Sequence, residues 1–213
     1  MEFRDRHEAG RVLAKALAAW QGQPEVVVLA LPRGGVPVAW EVAKALGAPL
    51  DVLVVRKLGF PGQEELAMGA IGPGGVRVMS DVPRLWAVSD AEVERVVERE
   101  QAELARRELL YRGERPPLVL AGRVAILVDD GLATGATMHA AALAVRAMHP
   151  QRIVVAVPVG SAEAVQLLNT VADEVVCVHV PEPFRAVGLW YQDFGQTSDE
   201  EVRALLQGEG ASP

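Results

Sequence analysis

Five stretches of this chain are short, uninterrupted apolar runs rich in valine: EVVVLALP (25–32), PLDVLVV (49–55), RVAILV (123–128), RIVVAVPV (152–159) and EVVCVHV (174–180). Each is too short for a buried helix. Continuous rather than alternating hydrophobicity marks a strand covered on both faces, as in a parallel sheet. Helical patterns lie between the runs at Val36–Leu46, Thr137–Met148 and Ser161–Val171, the last with Ser161 as its N-cap. A further helix is predicted over 5–20, where Val12, Leu13, Ala16, Leu17 and Trp20 share one face. Strands alternating with helices of this length predict right-handed βαβ crossovers. The fold class is therefore α/β: an open, mostly parallel sheet of about five strands with helices on both faces. With 213 residues and no internal repeat or linker, the chain reads as a single domain over 1–213.

One segment, 59–117, breaks the alternation. Residues 59–87 are rich in glycine and proline, and IGPGGVRV suggests a short hairpin. Residues 89–112 follow as a long charged helix, opened by a Ser89/Glu92 capping box and laced by pairs such as Glu103–Arg107. Its apolar stripe of Val93, Val97, Leu104 and Leu110 is narrow. That fits a solvated helix packed on one edge, or a dimer or partner surface. The RPP at 115–117 reads as a turn back into the sheet.

The formal charge of −7 argues against broad binding to nucleic acid, whose backbone needs positive charge to displace its counterions. Cys177 is the sole cysteine, so an internal disulfide is excluded and a reducing compartment is expected. MEFRDRHEAG has no apolar h-region, and no apolar run nears the roughly 18 residues that span a bilayer. The expectation is a cytoplasmic protein without a membrane partner. The four histidines show no metal-ligand spacing, and His179 reads as structural.

VAILVDDGLATGATM (124–138) ends a predicted strand with Asp129 and Asp130 and opens a helix with small residues and hydroxyls. In an open parallel sheet, ligands bind beyond the carboxyl ends of the strands, where the strand order reverses. A helix N-terminus there binds phosphate through unsatisfied N–H groups. Ala133, Gly135 and Ala136 let a phosphate reach the backbone, and Thr134 and Thr137 add hydroxyl donors. Two carboxylates would repel that phosphate unless they face another part of the ligand, which vicinal ribose hydroxyls satisfy. The bland alternative is that Asp130 caps the helix and Asp129 is solvated.

AILVDDGLATGAT resembles the signature of type I phosphoribosyltransferases: a hydrophobic run, two acids, a small-residue loop, then Thr-Gly-x-Thr. The resemblance implies that Asp129, Asp130, Ala133, Thr134, Gly135, Ala136 and Thr137 hold ribose 5-phosphate. It places Pro32-Arg33-Gly34-Gly35 in the family's pyrophosphate loop, where a cis peptide is common, and so predicts a cis Pro32–Arg33 bond. Arg33, Gly34 and Gly35 would then meet pyrophosphate, joined by Arg56 and Lys57 of RKLG. Lys57 is the one lysine of the chain expected at a strand end. The glycine-rich 59–75 segment is a candidate lid, or an ordinary surface loop.

Residues 181–213 are expected to form the hood and tail. FRAVGLWYQDF is loosely similar to the C-terminal hood of the branch acting on 6-oxopurines, which makes Phe184, Trp190 and Tyr191 candidates for stacking on a base. The same rings could simply cover an edge of the core. Val187, Leu189 and Asp193 are weaker candidates. Against the tail, position 133 is alanine where 6-oxopurine enzymes carry aspartate, and DDGLATGAT is closer to the adenine or orotate type. The acceptor base is left open.

The implied reaction displaces pyrophosphate of phosphoribosyl pyrophosphate by a nitrogenous base, with Asp129, Asp130, Arg33 and Lys57 as the central residues. Mg²⁺ is the implied cofactor. It would bridge pyrophosphate and ribose hydroxyls, with Asp129 and Asp130 reaching it through water or those hydroxyls rather than as certain direct ligands. A homodimer is implied as well. Two other readings stay open: a sensor of phosphoribosyl pyrophosphate or nucleotide on the same fold, and an unrelated nucleotide-binding α/β protein. The last requires PRGG and the Asp-Asp pair to lie far apart.

Overall fold

The computed structural model describes residues 2–208. Residue 1 and residues 209–213 of the predicted tail lie outside them. The central sheet contains β1 (Val26–Ala30), β2 (Leu50–Val52), β6 (Val124–Val128), β7 (Arg152–Val159) and β8 (Glu174–His179). Its order is β2-β1-β6-β7-β8, with every neighbouring pair parallel. The chain moves outward from β1 to β2, then returns on the other side of β1 as β6. The strand order thus reverses between β1 and β6.

Helices α2 (Gly35–Leu46), α5 (Ala136–Arg146) and α6 (Ala162–Asn169) make the crossovers, and α1 (Arg6–Ala16) precedes them. Their ends are locally encoded. Asp5 accepts from Glu8 N–H at the start of α1, Ser161 accepts from Ala164 N–H at the start of α6, and Gly47 closes α2 at φ 65°.

Successive side chains of β1 and β6 feed opposite cores. Val26, Val28, Val124 and Ile126 pack toward α1 and α2, whereas Val27, Leu29, Ala125 and Leu127 pack toward α5 and α6. A fully buried aliphatic side chain such as Ile126 stabilises the fold by roughly 1.5–3 kcal/mol relative to exposure. Valine runs are strands here because both faces are covered.

The insertion is ordered as a second sheet, β3 (Arg56–Phe60), β4 (Gln63–Ile71) and β5 (Arg77–Met79), antiparallel throughout. Its β4–β5 connection is the IGPGGVRV hairpin. A short helix α3 (Val82–Leu85) leads into α4 (Asp90–Arg112), which carries the Ser89/Glu92 capping box. The buried face of α4 is wider than the predicted stripe, including Val93, Val96, Val97, Leu104 and Tyr111, with Leu110 half-buried.

One boundary is corrected. β2 ends at Val52, so Arg56 and Lys57 do not close the second strand of the main sheet; they open β3.

The tail adds α7 (Asp199–Leu206), whose Val202, Leu205 and Leu206 are buried against the core. Before it, the chain is laced to the N-terminus: Phe3 N–H donates to Trp190 O, and Gln192 N–H donates to Phe3 O, each at 2.8 Å. Among the described residues, no helix is long and apolar enough to cross a membrane.

Candidate active site

PRGG follows β1 and the Asp-Asp pair follows β6, so the reversal of strand order makes the two loops neighbours. Leu31 N–H donates to Val128 O at 2.9 Å. The loops touch so closely that side chains are excluded: a Cβ on Gly34 would lie 2.2 Å from Asp130 Oδ2, and one on Gly35 would lie 2.7 Å from Val128 O. The Pro32–Arg33 peptide is cis. The proximity removes the requirement of the unrelated-nucleotide-protein reading.

The two aspartates interact with each other. Asp129 Oδ1 accepts from Asp130 N–H at 2.8 Å. Burial and the adjacent Asp130 charge push the Asp129 carboxyl well above the usual carboxylate range. Burial also raises Asp130, against the opposing pull of Arg6. Arg6 Nε donates to Asp130 Oδ2 at 2.9 Å, while its Nη1 donates to Gly195 O at 2.6 Å. Arg6 thus favours the charged form of Asp130 over that of Asp129.

The loop after the pair is braced from below. Leu132 N–H donates to Val159 O, and Ser161 Oγ–H donates to Ala133 O at 2.7 Å. Gly135 adopts φ 76° at the start of α5, and a Cβ there would meet Leu168 Cδ2 at 2.8 Å. Ala133, Thr134 and Thr137 are exposed and Ala136 is half-buried, so the small-residue rim faces outward. Thr134 Oγ1 accepts from Ala136 N–H at 3.3 Å, leaving the following N–H groups of the first turn directed along the helix axis toward the rim.

A cleft of about 440 Å³ runs beside this rim, lined by Pro32, Arg56, Lys57 and Thr137 together with Arg99 and Arg107 of α4. RKLG thus meets the edge of the PRGG loop at Pro32 and the edge of the rim at Thr137, while Arg33, Gly34 and Gly35 are not among the residues lining the cleft. Arg56 Nε donates to Glu100 Oε2 at 2.8 Å, and Lys57 Nζ stands 3.8 Å from Glu65 Oε2. Arg33 is placed differently. Its Nη1 is 3.6 Å from Asp199 Oδ1 of α7, the same oxygen that accepts Tyr111 O–H at 2.8 Å.

The candidate base-stacking rings divide. Tyr191 is 5% exposed, tilted on Phe3 and stacked on Phe194, and its hydroxyl donates to Asp130 O at 2.6 Å. Burial and the two aspartates push that hydroxyl up, so it stays a donor. Tyr191 therefore braces the acidic loop from beneath and does not offer a face to a base. Phe184 and Trp190 are half-buried against the same cluster, Trp190 edge-on to His179 at 4.9 Å. Val187 connects this hood to the site: a Cβ on Gly131 would meet its Cγ1 at 2.6 Å.

Sequence reasoning did not find Arg6, Ser161 Oγ as a loop brace, or the α4 side chains of the cleft. Arg6 lacks a local signal, because its partner is far along the chain. The α4 arginines were visible as a charge pattern but read as surface lacing.

Comparison with known proteins agrees with this geometry. The phosphoribosyl transferase domain family matches residues 5–190. Two Mycobacterium tuberculosis proteins provisionally named phosphoribosyl transferases, MT0597 and Rv0571c, are each 54% identical over 205 residues, covering 96% of this chain and 46% of theirs. The chain thus spans about half the length of these curated relatives. The crystal structure of TT1426 from Thermus thermophilus is 49% identical, with a TM-score of 0.90 over 99% of this chain and 100% of that one. The AQ2163 protein of Aquifex aeolicus, 11% identical with a TM-score of 0.51 over 86% of this chain and 78% of that one, shares the fold alone. With its parallel sheet, its paired loops and these matches, the chain belongs to the phosphoribosyl transferase family.

Proposed function

We propose that this chain transfers the 5-phosphoribosyl group of phosphoribosyl pyrophosphate to a nitrogenous base and releases pyrophosphate. One observation carries the reading: PRGG and the Asp-Asp pair, distant in sequence, are packed at the strand reversal with no room for a Cβ on Gly35 against the backbone of Val128 and Asp129. The PRGG loop then stands beside carboxylates suited to ribose hydroxyls, and the helix start of α5 suits the 5-phosphate.

In this reaction the bond from the anomeric carbon to pyrophosphate breaks, and its electron pair leaves with pyrophosphate. The lone pair of a base nitrogen forms the new bond, and that nitrogen loses a proton. The centre passes through a cationic, oxocarbenium-like state, which negative charge on the acidic pair, Asp130 in particular, would favour. Ribose hydroxyls donating to these carboxylates would orient the sugar. The rim from Ala133 to Thr137 would anchor the 5-phosphate, while Arg56 and Lys57 would attract the diphosphate. Arg33 would reach it by exchanging Asp199 for phosphate oxygens.

Among the described residues, no cluster of three or more His, Cys, Asp or Glu is arranged to hold a metal ion. Mg²⁺ fits this donor set only as an ion that takes most of its oxygens from the donor and water, with Asp129 and Asp130 beside it. When bound, it would neutralise charge on the departing pyrophosphate.

The test is pyrophosphate release from phosphoribosyl pyrophosphate and Mg²⁺ across purines, pyrimidines and small amines. Release with at least one base is expected, and the Asp129→Asn/Asp130→Asn variant should lose it while keeping its circular dichroism. Donor binding without release from any base would make the chain a sensor instead. Unchanged turnover in the double variant would remove the role given to the aspartates.

A further inference from the structure

Along α4, Arg99, Glu103, Arg107 and Tyr111 follow at four-residue spacing and run from the β3–β4 hairpin side of the cleft toward α7. Arg99 and Arg107 line the cleft with Arg56. All three arginines are tethered in the same way. Arg56 Nε donates to Glu100 at 2.8 Å, Arg99 Nε donates to Glu100 at 3.2 Å, and Arg107 Nε donates to Glu103 at 2.7 Å. Among the described residues, these contacts use Nε and leave the terminal nitrogens of each guanidinium for another partner. A planar fork with its stem fixed is the arrangement that grips phosphate oxygens in pairs.

The charge balance points the same way. Four cations line the cleft, Arg56, Lys57, Arg99 and Arg107, against the carboxylates of Glu64, Glu65 and Glu100. Without the two arginines of α4 the carboxylates would be in excess, and the cleft would repel a polyanion.

We infer that α4 supplies part of the diphosphate site, with Arg99 and Arg107 binding phosphate oxygens opposite the PRGG loop. This rests on the phosphoribosyl reading and adds to it a wall made by the long helix, which also tethers Arg56 through Glu100. The helix suits the task because the capping box and buried stripe fix it, so the forks are held on a rigid element.

The experiment is calorimetric titration with inorganic pyrophosphate and, separately, ribose 5-phosphate. Arg99→Gln/Arg107→Gln should weaken pyrophosphate binding by about tenfold or more, through loss of two charge-assisted forks, and leave ribose 5-phosphate unchanged. Arg106→Gln is the control: Arg106 shares Glu103 with Arg107 but is exposed and is not among the cleft-lining residues. It should leave both ligands unchanged. Each single variant, Arg99→Gln or Arg107→Gln, should show part of the loss and serves if the double variant does not fold. Pyrophosphate affinity equal to that of the wild type in these variants, or an equal loss in Arg106→Gln, overturns the inference. A wild-type chain that binds neither ligand overturns the phosphoribosyl reading itself.

Discussion

Arg6 and Asp130 meet at 2.9 Å, Nε to Oδ2, with side chains only 13% and 16% exposed. The same guanidinium lies 4.1 Å over the ring of Phe194. The first turn of α1, the acidic loop and the C-terminal hood therefore converge on one guanidinium. Removing one member of a buried ion pair leaves an uncompensated charge, at a cost of about 3 kcal/mol or more. Arg6→Gln should accordingly lower the urea midpoint and reduce phosphoribosyl transfer by the folded protein. Arg6→Lys keeps the charge but lacks the fork that also reaches Gly195 O, so it should fall between. An Arg6→Gln midpoint equal to the wild type would show that the pair contributes nothing.

Asp129 supplies a pH-dependent test. Its folded-state carboxyl is raised by burial and by Asp130. The unfolded carboxyl titrates near the ordinary value, about 3.9. Between these two values the unfolded chain ionises while the folded one retains its proton, so stability falls as pH rises through that window. Asp129→Asn removes the penalty and can still accept from Asp130 N–H. The variant should be more stable than the wild type at pH 7, and this gain should vanish as pH falls below about 4. Chemical denaturation at the two pH values measures it. A gain at pH 7 with loss of transfer would mark the site as one where function is held against stability.

Gly35 tests the contact between the loops. A Cβ there meets Val128 O at 2.7 Å and Asp129 Cα at 3.0 Å, both backbone atoms that cannot rotate aside. Gly35→Ala should cost about 1–3 kcal/mol, as overpacking in a filled core does, and should weaken pyrophosphate binding by displacing PRGG from the acidic loop. At Gly34 the nearest atom is a carboxylate oxygen already tied to Arg6, so Gly34→Ala should perturb Asp130 more than the backbone. Thermal melts and pyrophosphate titration of both variants separate the two effects.

The parallel sheet was legible because strands buried on both faces read as continuous valine runs. Helix starts at Ser89 and Ser161 were legible because a cap is a local device. What escaped depends on contacts between distant segments. Arg6 looks like any polar residue in an amphipathic helix, and nothing near it announces Asp130. Tyr191 lies in an aromatic run whose composition suits a stacking face, yet its side chain turns inward because the N-terminal Phe3 segment pairs with it. Arg56 and Lys57 follow a valine run that leaves the main sheet earlier than its hydrophobicity indicates, because the chain must bend there to start the antiparallel insertion.

Ser161 joins two roles that the sequence displayed only in part. Its Oγ accepts from Ala164 N–H at 3.0 Å as the α6 cap, and the same hydroxyl donates to Ala133 O at 2.7 Å. The cap alone is worth about 1 kcal/mol. Loss of the second bond leaves the Ala133 carbonyl, part of the phosphate rim, without its donor. Ser161→Ala should therefore lower stability by about 1–2 kcal/mol, combining the cap with one net hydrogen bond, and should raise KM for phosphoribosyl pyrophosphate more than it lowers kcat. Asp in place of Ser161 can cap α6 but cannot donate to Ala133 O when ionised, so it should recover stability without recovering KM. Recovery of both by Ser161→Asp would show that the loop takes no positional information from this hydroxyl.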